Sequence, residues 1–190
     1  MHKFAILILF TCFQIIPPAS TASAGGAQEL SFLVETKVVV ETISPDAKLF
    51  GVNAEWLQAN TQAKLARNGI RVVANNPTHE ASPTLFISLT AQRSLDNPEF
   101  LDYFIEMDLT DFVILESELR KNKIENVEVF QIKRTQLPKL VAGAALWRSG
   151  ALGQARKTKL PAAIYRHADA IVDSFIQDYW RTRPKPSQQN

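Results

Sequence analysis

The order of periodic segments between residues 37 and 73 restricts the fold more than any other feature of this sequence. The β-branched run Lys37–Ile43 predicts a strand, and its apolar density is typical of a strand covered on both faces. A helix follows between Asn53, a suitable N-cap, and Asn68-Gly69, where glycine adopts a positive φ at little cost. Ile70–Val73 then predicts a second strand. This order indicates a βαβ unit with parallel strands and a right-handed crossover.

Beyond the loop at residues 75–83, the apolar period changes to two. The segments Leu85–Thr90 and Leu101–Thr110 alternate apolar with mostly polar residues, and the turn Leu95–Pro98 lies between them. Such alternation is typical of strands with one buried and one water-facing side. The two segments therefore predict an antiparallel hairpin.

The second half of the chain predicts more strands and a final helix. Val127–Ile132 is a further short strand, and Lys139–Ser149 is the last strand, with four residues on one face: Val141, Gly143, Ala145 and Trp147. A long helix opens at Leu160-Pro161 and stops before Pro184. The predicted fold class is α/β, of the α+β kind: a single domain whose mixed β-sheet has about five or six strands and starts with the βαβ unit. Two helices pack on this sheet, and the second is a C-terminal amphipathic helix.

The two ends of the chain are predicted to lie outside this domain. Residues 1–24 have the pattern of a signal peptide, with a basic start, the apolar run Phe4–Ile16 and a small-residue site cleaved between Ala24 and Gly25. The apolar run is too short to cross a bilayer of about 30 Å. We therefore expect a globular domain at residues 25–183, a disordered polar tail at 184–190, a location in the periplasm or outside the cell, and no transmembrane segment in the mature chain.

Charge and cysteine content exclude several function classes. The chain carries 21 basic and 19 acidic residues, without a concentrated basic face, so nucleic acid is not an expected partner. The one cysteine, Cys12, lies in the leader. The mature chain is therefore expected to have no disulfide, thiolate metal site or cysteine nucleophile.

Candidate catalytic groups are sparse. His79 and Glu80 are adjacent, and Asp108 shares the polar face of its strand with Asp102 and Glu106, which makes His79, Glu80 and Asp108 a possible metal-ligand set. No HxH, HExxH, G-x-S-x-G or phosphate-loop spacing supports an enzyme, and no cofactor is predicted. A metal-dependent hydrolase remains the enzymatic alternative.

Two further places have both a functional and a structural interpretation. The segment from Trp147 to Gly150 can line a ligand groove through Trp147, Arg148 and Gly150, or can pin the loop before the last helix. His167 lies beside the apolar stripe of that helix, where we expect a neighbour to satisfy one ring nitrogen. A small-molecule-binding periplasmic protein is therefore a second alternative.

Core and cap positions of the chain resemble those of a set of uncharacterised exported bacterial proteins with a strand-helix-strand start, a Trp-x-x-Gly segment and a closing amphipathic helix. The residues that carry this resemblance are Leu57, Leu65, Gly69, Ile70, Val72, Val73, Trp147, Gly150, Gly153, Ala168, Val172, Asp173, Ser174, Phe175 and Tyr179. The pattern is also distantly similar to the N-terminal αβ domain of TolB and to CsgG-like envelope-assembly modules. The resemblance implies a fold and an envelope location and brings no catalytic residues. The chain departs from it by an insertion at Lys121–Gln136.

The export signal and the lack of a nucleophile, metal cage or cofactor loop favour a non-catalytic binding or assembly module. We expect it to act in the cell envelope through protein–protein contacts, with an envelope or secretion-complex protein as partner.

Overall fold

The computed structural model describes residues 27–75, 82–114 and 141–183 of the chain. A 3-10 helix at Ala27–Phe32 precedes the first strand, and a second one at Lys157–Lys159 precedes the last helix. The strands are β1 (Glu35–Ile43), β2 (Arg71–Val72), β3 (Thr84–Arg93), β4 (Phe100–Ile114) and β5 (Val141–Arg156). The helices are α1 (Pro45–Leu49), α2 (Ala54–Arg67) and α3 (Leu160–Arg181). The predicted fold class, a single α+β domain with a mixed sheet, is confirmed.

The sheet has the strand order β2-β1-β3-β4-β5. Strand β1 pairs in parallel with β2 and with β3, which confirms the predicted βαβ unit. Strands β3 and β4 pair antiparallel, as the alternation of apolar residues predicted, and β5 continues the antiparallel order at the edge. Strand β2 is shorter than expected, because only Glu35 and Thr36 of β1 have partners in it.

Helix α2 begins and ends where its capping residues predicted. The side chain of Asn53 accepts a hydrogen bond of 2.7 Å from the backbone N–H of Trp56, which satisfies a donor that the first turn leaves free. Gly69 follows the helix with a φ of 76°, a conformation that favours glycine. Leu57, Thr61 and Leu65 of α2 are buried.

The core lies between one face of the sheet and the helices. Inward-facing strand residues alternate with outward-facing ones, and those of β4 are Leu101, Tyr103, Ile105, Met107 and Leu109. The apolar stripe of α3 covers them, and α1 and α2 complete the helical layer. The described helices thus all pack on one face of the sheet, which we call the covered face. The other side is the open face.

The last strand differs from its prediction. It continues to Arg156, so the segment from Trp147 to Gly150 lies within a strand and not at a turn before the helix. A register shift at Leu109/Thr110 makes Leu146 an extra residue in β5. Because a bulge reverses the alternation, Ala145 is exposed on the open face and Trp147 is buried on the covered face, and the interpretation that placed both on one face is wrong.

Helix α1 was not predicted. Its first residues were interpreted only as the end of the preceding strand. The leader with Ala24 and Gly25, the tail at 184–190, the pair His79-Glu80, the predicted strand Val127–Ile132 and the insertion lie outside the described residues. No helix in the described stretches is both long and apolar enough to cross a membrane.

Candidate functional site

The three residues predicted to line a ligand groove do not share a face of the sheet. Trp147 points toward the helices and is 1% exposed. Arg148 and Gly150 point to the open face, because they alternate with Trp147 along a regular stretch of β5. The structure therefore brings Arg148 and Gly150 together and separates Trp147 from them.

Trp147 attaches the last helix to the edge strand. Its indole N–H donates a hydrogen bond of 3.0 Å to Oδ2 of Asp178, and its ring meets the ring of Phe175 edge to face at 5.0 Å. The other carboxylate oxygen of Asp178 lies 3.0 Å from Nη1 of Arg181. A buried tryptophan normally requires such a partner for its N–H. These contacts hold the last helix against β5, which differs from the predicted pinning of a loop before that helix.

Arg148 is held by carboxylates of the neighbouring strand. Its Nε donates a hydrogen bond to Oδ1 of Asp108 and lies 3.4 Å from Oε1 of Glu106. This hydrogen bond, followed by the charges of Asp108 and Glu106, raises the pKa of Arg148. Asp108, one of the predicted metal ligands, thus accepts a hydrogen bond from a cation of its own sheet.

The predicted metal set is not assembled in the part of the chain that the structure describes. His79 and Glu80 lie outside it, and no group of three or more His, Cys, Asp and Glu side chains within it is placed to hold a metal ion. Asp102, a third carboxylate of the open face, accepts a hydrogen bond of 2.7 Å from the side chain of Gln154. The carboxylates of β4 are therefore bound to side chains of β5.

Two glycines of β5 lie beneath aromatic rings of β4, one on each face. A Cβ at Gly153 would come within 2.6 Å of the ring of Tyr103 on the covered face. A Cβ at Gly150 would come within 2.9 Å of the ring of Phe104 on the open face. An aromatic ring over a glycine of the adjacent strand supplies the packing that the glycine lacks. Gly150 therefore has a structural role in the sheet.

Tyr103 also contacts the histidine of the last helix. Its hydroxyl lies 3.2 Å from Nδ1 of His167, which confirms that a neighbour satisfies one ring nitrogen of this histidine. Burial lowers the pKa of His167, and the charge of Arg166 lowers it further. Burial also raises the pKa of Tyr103. Both shifts favour the neutral form of each side chain, and the histidine tautomer sets which of the two donates the hydrogen bond.

The open face carries an apolar pair next to β5, the edge strand of the sheet that the described residues form. Phe104 of β4 and Leu152 of β5 are direct cross-strand partners and are 41% and 70% exposed. Sequence reasoning missed Leu152 as a surface residue because it ended the last strand at Ser149. Once the strand continues through Gly150 and Gly153, the period of two counted from the buried Trp147 places Leu152 on the open face.

Comparisons with known proteins give structural matches only. No family model matches the sequence, and no curated protein matches it. Among solved structures, the chain is similar to a point variant of the PelC dodecamer from Paraburkholderia phytofirmans, at 14% identity and a TM-score of 0.44, covering 83% of this chain and 98% of that chain. It is also similar to a second PelC dodecamer from the same organism, at 10% identity and a TM-score of 0.43, covering 87% of this chain and 99% of that chain. TM-scores below 0.5 do not establish a shared fold, so function has to be argued from the residues of this chain.

Proposed function

We propose that the protein is a non-catalytic binding or assembly module of the cell envelope, located in the periplasm or secreted, and that it holds a protein partner at the open face and the edge of β5. The observation that carries the proposal is the one-sided placement of the described helices. As a result, Phe104 and Leu152 remain exposed at β5, the edge strand among the described strands.

An exposed apolar pair beside a sheet edge suits a protein partner. Covering apolar surface stabilises a complex by about 25 cal/mol per Å² removed from water. The edge adds backbone donors and acceptors with which an extended segment of a partner can form a further strand. The proposal names an envelope or secretion-complex protein as partner, because the sequence predicts an export signal and resembles exported proteins, TolB and CsgG-like modules.

The polar groups of the open face favour binding over catalysis. Asp108 and Glu106 pair with Arg148, and Asp102 accepts a hydrogen bond from Gln154. A carboxylate that already accepts hydrogen bonds from its neighbours, or is paired with their charge, is poorly placed to act as a general base. These contacts instead give the open face a fixed arrangement of polar groups around the apolar pair.

Site-specific photo-cross-linking tests the proposal. A benzoylphenylalanine in place of Leu152 on the open face is expected to form an adduct with a different protein when cells are irradiated. The same group in place of Gln177, an exposed residue of α3, serves as the control. The proposal is rejected if Leu152 gives no adduct with any protein molecule, a second copy of the chain included, or if Gln177 gives the same adduct. Turnover of a substrate by the purified chain would reject the non-catalytic role.

A further inference from the structure

We propose that two copies of this chain pair their β5 strands antiparallel about a two-fold axis at Ala151, so that the two sheets become one continuous sheet. The inference rests on the proposed function, because it names a second copy of the chain as the occupant of the β5 edge. Three observations carry it: the state of that edge, the sizes of the side chains along it, and the positions of its charges.

Between Trp147 and Arg156, beyond the bulge at Leu146, the described edge of β5 has no proline or lysine to prevent edge-to-edge pairing. Strand β5 has 16 residues and, among the described strands, β4 as its one neighbour. Natural edges are commonly blocked by lysine, proline or outward charges. Between Val141 and Arg156 there is neither lysine nor proline.

Both charged side chains of β5 are turned back onto β4. Arg148 reaches Asp108 and Glu106, and the guanidinium of Arg156 lies 5.7 Å from the centre of the Phe100 ring. Each arginine thus contacts the residue that is its direct cross-strand partner. Neither charge is therefore directed at the strand edge, where it would oppose an incoming strand.

When two β5 strands pair antiparallel, the sizes of facing side chains near the middle of the strand are complementary. A two-fold axis at Ala151 places Leu152 of each copy opposite Gly150 of the other. Because the ring of Phe104 lies beside Gly150, each Leu152 then packs against Phe104 of the other copy. On the covered face, the same register places Trp147 opposite Ala155. At these two pairs a large residue thus meets a small one, and the exposed apolar pair of the open face is covered.

Other registers of the two β5 strands are less favourable. A shift by one residue would place open-face residues opposite covered-face residues. An axis at Leu152 would place Arg148 directly opposite Arg156, and like charges in that position are destabilising. An axis at Gly150 would place Gln154 opposite Leu146, so that the extra residue interrupts the ladder before its end. With the axis at Ala151, Leu146 lies opposite Arg156, the last residue of β5. With the axis at Ala151, Arg148 lies opposite the neutral Gln154.

Sedimentation velocity over a dilution series tests the dimer. Cys12 is replaced by serine in every sample, so that no native thiol is present. We expect a dimer that dissociates on dilution, and we expect Leu152→Lys to raise its dissociation constant at least about tenfold. Leu95→Lys is the matched control, because Leu95 is fully exposed at the turn between β3 and β4, away from the β5 edge. It is expected to leave the dissociation constant unchanged.

A cysteine cross-link tests the position of the axis. Directly opposite residues of antiparallel strands have Cα atoms about 4.5–5.5 Å apart, which is within the range of a disulfide. Ala151→Cys is therefore expected to give a covalent dimer under mild oxidation, and Leu95→Cys is expected to stay monomeric on a non-reducing gel. Unchanged unfolding curves of the reduced variants verify that each one folds.

The possible outcomes separate this inference from the proposed function. A chain that is monomeric at every concentration, or a dimer that Leu152→Lys does not weaken, overturns self-pairing. A dimer weakened by Leu152→Lys without a cross-link at position 151 overturns the axis at Ala151. The photo-cross-linker at Leu152 separates the two proposals. An adduct with twice the mass of the chain supports self-pairing, and an adduct with a different protein alone overturns self-pairing while the proposed function stands.

Discussion

The two faces of strands β4 and β5 use the same pairing of an aromatic ring with a glycine, in different surroundings. On the covered face, Tyr103 lies over Gly153, and His167 of α3 contacts the tyrosine from above. On the open face, Phe104 lies over Gly150, and its ring is 41% exposed. A side chain on these strands is therefore more tightly constrained where a helix packs over it than where it faces outward, although the local sequence is similar.

The largest difference between the faces is expected for truncation of a phenylalanine. Phe175→Ala, in the core between α3 and β5, should lower the free energy of unfolding by about 3–5 kcal/mol, because it removes fully buried surface and leaves a cavity. Phe104→Ala on the open face is the matched control and should cost about 1 kcal/mol. Urea unfolding in dilute solution measures both. Equal losses would contradict the comparison.

The second-largest difference between the faces is expected when each of the two glycines is replaced by alanine. Gly153→Ala forces a Cβ into the buried ring of Tyr103 and should cost about 1–3 kcal/mol, as overpacking of a core does. Gly150→Ala meets a ring that can turn toward water, and alanine restricts the unfolded chain more than glycine does. We therefore expect a smaller loss for Gly150→Ala in the same measurement, and a larger one would refute this account.

Removal of the indole donor should have a moderate effect. Trp147→Phe leaves Asp178 without the N–H that it accepts now, while Arg181 remains in place. We expect a loss of about 1–3 kcal/mol in the free energy of unfolding. A chemical-denaturation curve for the double variant Trp147→Phe/Asp178→Asn shows whether the two losses share one interaction. Additive losses would mean that the hydrogen bond contributes little.

Replacement of Ser149 by alanine is expected not to lower the free energy of unfolding, unlike the substitutions above. Its hydroxyl is buried without a hydrogen-bond partner on the covered face of β5. Ser149→Ala removes that unsatisfied group and should leave stability unchanged or raise it by about 1 kcal/mol. Thermal unfolding compares it with Ser88→Ala, a half-buried serine of the open face. A clear loss at Ser149 would indicate a partner for its hydroxyl.

The smallest effect is expected from pH. The pKa of His167 is lowered from its ordinary value of 6.5, so the unfolded chain binds this proton more readily than the folded chain does. The stability present above pH 6.5 should therefore decline as the pH falls from 6.5 toward the lower native pKa, and water around the half-buried ring keeps the decline small. The free energy of unfolding of wild type and His167→Gln, compared between pH 7.5 and 5.5, isolates this contribution. An equal decline in both proteins would argue against it.

Much of the fold could be predicted from residues with a local physical preference. The alternation at Leu85–Thr90 and Leu101–Thr110 predicted the hairpin, and Asn53 and Gly69 predicted the ends of α2. The end of β5 was not predictable from the glycines at its middle. Gly150 and Gly153 read locally as a turn, but aromatic rings of β4 supply the packing that keeps them in a strand.

The candidate site was less accessible to sequence reasoning than the fold. The predicted set of Trp147, Arg148 and Gly150 relied on closeness in the chain, and a strand directs successive side chains to opposite faces. The bulge at Leu146 decided which face each received. The importance of Leu152 depends on β5 being the edge strand, which is a property of strand order and not of local sequence.

By itself, the sequence determined the kinds of elements, their caps and the face of each regular strand that is buried, because these depend on periods of two and 3.6 residues and on the conformational preferences of glycine and asparagine. The tertiary structure decided the strand order, the bulge in β5, the pairing of Tyr103 with His167 and the exposure of Leu152. These features depend on contacts between residues that are distant in the chain. Such contacts decide which side chains are buried, which charges pair and which strand lies at the edge.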